Sequence, residues 1–67
     1  MYKAIITSRT GSATGYGKTD HDAVLDAAKA FPGVDTTKCA LSVWYAYDNC
    51  DDLQYVSSLF KYLEDAK

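Results

Sequence analysis

The chain has 67 residues, close to the lower size limit for a domain that folds alone, and its 48% apolar content supplies one compact core. Seven basic side chains against nine acidic ones leave a net charge of −2. That balance excludes a broad cationic grip on nucleic acid and is too small for a nucleic-acid mimic. No apolar run has the length of a membrane span and the first residues lack a secretory pattern, so a cytoplasmic setting, in the producing cell or a host, is expected.

Residues 2–8, YKAIITS, are rich in β-formers and open the domain as a strand. Gly11 and Gly15 mark a turn, and residues 13–18 return as a short second strand that Gly15 and Gly17 weaken into an irregular edge. Thr19 is a natural N-cap for the first helix, with Asp20 and Asp22 in its first turn, where the helix dipole favours negative charge. Val24, Ala27, Ala28 and Phe31 form a narrow apolar stripe opposite Asp22, Asp26 and Lys29, and Pro32 with Gly33 ends the helix.

Residues 33–38 read as a surface loop, and residues 39–48, CALSVWYAYD, as the strongest strand. Alternation sets Leu41, Val43, Tyr45 and Tyr47 on one face and Ala40, Ser42, Trp44 and Ala46 on the other. Asp48, Asn49, Asp51 and Asp52 then read as a capping turn into a second helix over residues 51–66. Its central stripe is Leu53, Val56, Phe60 and Leu63, flanked by Tyr55, Leu59 and Tyr62. The expected architecture is therefore a single α+β domain in the order strand-strand-helix-strand-helix. Its sheet is three-stranded and mostly antiparallel, with both helices on one face.

Within residues 12–19, Thr14-Gly15-Tyr16-Gly17-Lys18-Thr19 resembles the phosphate loop of helicase-type ATPases, which would assign Lys18 to the terminal phosphates and Thr19 to magnesium. Ser12 stands where the first glycine of that motif belongs, however, and Asp20 and Asp22 set carboxylates where a polyphosphate would sit. Gly15-x-Gly17-x-Thr19 followed by Ala23 and Ala27-Ala28 is also similar to the end of a double-stranded-RNA-binding domain. That resemblance implies a sheet running into a packed helix, but Asp20, His21 and Val24 occupy the positions of its phosphate-clamping basic residues. Small antitoxin domains with strand-strand-helix starts look alike at this coarse level. No family is assigned.

Chemistry-bearing residues are few. Cys39 and Cys50 read as free thiols, and His21 is the only imidazole, without a nucleophile at motif spacing. The acidic cluster lacks calcium-loop spacing, so neither a metal nor a cofactor is expected. Trp44 among small neighbours has the form of a contact platform if its face is open, and of a core residue if the faces are reversed. The expected function is non-catalytic protein binding, in the style of a phage or mobile-element inhibitor of a host protein. Contacts are expected from Trp44, Tyr16, Tyr55, Tyr62, Asp48, Asp51 and Asp52, and self-association into a homodimer is a further option. The competing reading is nucleic-acid binding through the glycine hairpin, Lys3, Arg9 and Lys18, with nucleotide binding a remote third.

Overall fold

In the computed structural model, which describes residues 1–65, the β-rich opening forms strand β1 (Tyr2–Ser8) and pairs antiparallel with β2 (Gly11–Gly17). The pairing runs unbroken from Tyr2–Gly17 to Ser8–Gly11. Helix α1 (Asp20–Ala28) follows, then a single 3₁₀ turn (Thr36–Lys38), strand β3 (Ala40–Tyr47), strand β4 (Cys50–Ser58) and helix α2 (Leu59–Asp65). The four strands lie in the order β2-β1-β3-β4, all neighbours antiparallel. Both helices contribute to one core with Ala4, Ile6, Leu41 and Val43, so they share one face of the sheet.

The α+β class, the antiparallel sheet and the two helices agree with expectation, but the sheet has four strands rather than three. The correction lies in residues 51–58, expected as the first part of the second helix and found as part of strand β4. Asp48 and Asn49 take positive φ of 44° and 67° and form a two-residue hairpin turn closed by the Tyr47–Cys50 pair, so the acidic turn caps no helix. Asp and Asn tolerate this left-handed geometry better than most residues. A register shift between Val43 and Trp44 leaves Gln54 as an extra residue in β4. Leu53 and Val56 therefore both share the face of Trp44 although three residues apart. That spacing imitates a helical stripe, but Leu53, Val56 and Phe60 are 50%, 65% and 45% exposed. The true second helix begins at Leu59, where Ser58 Oγ accepts the Lys61 N–H at 3.1 Å, and Ala66 lies outside the described residues.

The first helix starts as expected, with Thr19 Oγ1 accepting the Asp22 N–H at 3.1 Å. It ends at Ala28, and residues 29–31 continue in tighter bonds back to the carbonyls three residues before, so Phe31 packs from a turn. The glycines of the second strand have a different role from the one expected. They form no irregular edge; they lie in a regular strand beneath α1. A Cβ on Gly15 would fall under 3.0 Å from backbone atoms of Ala23 and Ala27, and one on Gly17 would stand 2.5 Å from Asp22 Cβ and 2.7 Å from Ala23 N. The buried Ala23 and Ala27 complete the close seat. The seat also serves the sheet edge, because Asp26 Oδ2 accepts the outward Tyr16 N–H at 3.1 Å.

Substituting Gly15→Ala forces α1 off the sheet and should destabilise the domain by about 3 kcal/mol, a large share of the stability of a domain this size. Ser12→Ala, at an exposed position of the same strand, should change it by less than about 0.5 kcal/mol. Urea unfolding followed by circular dichroism measures both.

Candidate functional site

Antiparallel pairing places cross-strand partners on one face, which defines the sheet surface away from the helices. Tyr16, Lys3, Trp44 and Leu53 form one row across all four strands, and Thr14, Ile5, Ser42 and Val56 form the next. Both helices pack on the other side, so no element of the described residues covers these rows. Trp44 is half-buried there; its Nε1 donates to Ser42 Oγ at 3.0 Å, and the Lys3 ammonium lies 5.7 Å from its ring centre. Lys3 Nζ is also paired with Asp51, which fixes the ammonium beside the indole. Between the two faces of β3 that the sequence left open, Trp44 occupies the uncovered one.

A second surface lies on the helix side. Helix α1 packs over β2 and β1 and scarcely reaches β3, and α2 is only seven residues long. The end of the sheet carrying Tyr45 and Tyr47 is therefore left bare. These two tyrosines share the face of buried Leu41 and Val43, as the alternation implies, yet they are 40% and 44% exposed. Tyr2 stacks edge-on against Tyr45 with centroids 5.2 Å apart, and Tyr45 lies 5.6 Å from Tyr47. Tyr55 and Tyr62 meet at 5.9 Å beside an open cleft of about 490 Å³, whose wall also includes Tyr2, Gln54, Asp20 and Asp65.

Two hydroxyls in this group are tied to carboxylates. Tyr62 donates to Asp20 Oδ2 at 3.1 Å, and burial of its ring together with that bond pushes its pKa up to about 12. Tyr47 donates to Asp52 Oδ2 at 2.9 Å, which raises its pKa.

The seven residues expected to form one protein contact are thus divided between two faces. Trp44, Tyr16 and Asp51 are on the open face, Tyr55, Tyr62 and Asp52 on the helix side, and Asp48 at the hairpin tip between β3 and β4. Missed entirely were Ile5, Leu53 and Val56 on one side and Tyr2, Asp20 and Asp65 on the other. The alternation of β1, with Ala4 and Ile6 buried, was the signal that would have set Lys3 and Ile5 beside Trp44.

The three basic residues of the nucleic-acid reading are not brought together. Arg9 lies in the turn after β1, Lys18 follows the far end of β2, roughly 20 Å away at strand rise, and Lys3 is neutralised by Asp51. The Gly15–Gly17 segment is extended strand rather than a loop around a phosphate. Both thiols are free, Cys39 buried and Cys50 exposed. Among the described residues no group of three His, Cys, Asp or Glu side chains could hold a metal, and no helix is long and apolar enough to cross a membrane. No protein-family model, curated protein or solved structure matches the chain.

Because the pKa of folded Tyr62 is raised above the ordinary value near 10, its neutral form stabilises the fold fully below pH 10, and that contribution is lost as pH rises toward 12. Stability of the wild type should fall by on the order of 2 kcal/mol more across this window than that of Tyr62→Phe, measured by urea titration at each pH.

Proposed function

We propose that the chain is a small, non-catalytic protein-binding module whose contact surface is the open sheet face around Trp44. The observation that carries this reading is the pair of cross-strand rows holding Tyr16, Trp44, Leu53, Ile5 and Val56, with three of these side chains at least half exposed and no layer of the described residues above them. Covering such a face removes apolar area from water at roughly 25 cal/mol per Å², and aromatic residues at the centre of a patch carry much of an interface's energy.

Electrostatics favour a protein over nucleic acid as the occupant. The one cation in the rows, Lys3, already has its partner in Asp51, so these rows offer a phosphate backbone no unpaired positive charge. The row beyond Ile5 and Val56 is mostly polar, with Ser12, Thr7 and Ser58 beside Ala40. An apolar centre within a polar rim is the usual anatomy of a protein interface. A module of this size acts by occupying a partner's surface, which is how it would inhibit a host protein.

Immobilised wild type should retain partner proteins from a host lysate that both Trp44→Ala and Val56→Asp lose, each variant keeping the wild-type circular dichroism spectrum. An unchanged partner set with either variant contradicts the proposal. Sedimentation of the purified chain as a dimer that Val56→Asp dissociates would put a second copy in the partner's place. Salt-sensitive binding to duplex RNA or DNA that Lys3→Gln, Arg9→Gln and Lys18→Gln abolish would put nucleic acid there.

A further inference from the structure

We infer that the cleft between the two helices and the β3–β4 half of the sheet is a second binding site, which takes the guanidinium of an arginine side chain from a basic segment of a partner. The site is on the opposite side of the sheet from Trp44 and does not depend on the open-face reading.

Three features define it. Five of the six tyrosines of the chain, Tyr2, Tyr45, Tyr47, Tyr55 and Tyr62, gather at this end of the helix-side face, three of them on the cleft wall. The cleft encloses about 490 Å³ and opens to solvent, a size that admits one long side chain while the rest of the partner stays outside. Its charged groups are the carboxylates of Asp20 and Asp65, and its lining includes no lysine or arginine among the described residues.

These features select the ligand by chemistry. Aromatic faces attract cations through their quadrupole, and the attraction grows as water is excluded. Two carboxylates on the rim repel phosphate and other anions and accept hydrogen bonds from a cationic donor. A guanidinium satisfies both demands: it is planar, stacks on a ring, and directs five N–H donors in its plane toward carboxylates. A lysine ammonium is a strongly hydrated point charge that gives up more on entering such a cleft. Asp20 is already held by the Tyr62 hydroxyl through one oxygen, Oδ2, which leaves Oδ1 for a ligand. Gln54, the extra residue of the β4 bulge, adds an uncharged amide to the wall.

The test uses the full chain in 150 mM salt, titrated with acetylated and amidated tetra-arginine, tetra-lysine and tetra-glutamate peptides, and followed by aromatic resonances in heteronuclear NMR. Tetra-arginine should shift Tyr2, Tyr55 and Tyr62 saturably and bind at least threefold more tightly than tetra-lysine, and tetra-glutamate should leave these resonances in place. Asp20→Asn, which keeps an oxygen for the Tyr62 hydroxyl, and Tyr55→Leu should each weaken tetra-arginine binding about three- to tenfold. Trp44→Ala should not change it, which separates this site from the open face. The inference is overturned if tetra-arginine leaves the cleft tyrosines unshifted, if tetra-lysine binds as tightly, or if Asp20→Asn and Tyr55→Leu, both folded by their spectra, bind like the wild type.

Discussion

The contact on which the rest of the structure depends is the direct seating of α1 on the backbone of β2. Gly15 and Gly17 remove the side chains that would hold the helix away, and Ala23 and Ala27 present the smallest apolar surface to the gap. Nothing larger fits, since any Cβ at either glycine collides with backbone atoms or with the Cβ of Asp22. This close approach draws α1 over the β2–β1 half of the sheet. Among the described residues, the β3–β4 half is covered mainly by the short α2 and the 3₁₀ segment, with the edge of α1 reaching β3. The described residues supply no further layer, so they leave two surfaces uncovered. One is the far face of the sheet around Trp44, and the other is the tyrosine-lined end on the helix side.

The bulge in β4 has a comparable influence on the open face. With Gln54 as the extra residue, Leu53 lies on the same side as Val56 and extends the row through Trp44 onto β4. In an unbulged register Gln54 would stand opposite Trp44 and Leu53 opposite Tyr45, on the helix side. The same insertion sets Gln54 in the wall of the cleft. One irregularity in an edge strand thus shapes both surfaces.

Legibility in the sequence followed the strength of local signals. The β-branched opening of β1, the Thr19 cap and the alternation of β3 each have one dominant reading, and those elements agree with it. Residues 51–58 did not, because the bulge gives Leu53 and Val56 a spacing of three that a helix also produces. The counter-signal was present in Asp48-Asn49, a pair suited to a left-handed two-residue turn, and in Tyr55-Val56-Ser57-Ser58, which are poor helix formers. The apparent phosphate-loop string misled for a related reason, since glycines that allow a helix to approach a strand look the same in sequence as glycines that allow a phosphate to approach a loop. Trp44, Tyr16, Tyr55 and Tyr62 were named as contacts from sequence and Ile5, Leu53, Val56, Tyr2, Asp20 and Asp65 were not; the division between two faces rests on pairing register, which no single segment encodes.

The seating of α1 on the β2 glycines can be read directly from a nuclear Overhauser spectrum of the chain in solution. The structure predicts cross-peaks from the α protons of Gly15 and Gly17 to protons of Ala23 and Ala27, together with antiparallel strand cross-peaks between Tyr47 and Cys50 and between Val43 and Tyr55. Helical cross-peaks running through residues 51–58, with the two glycines silent toward α1, would contradict it.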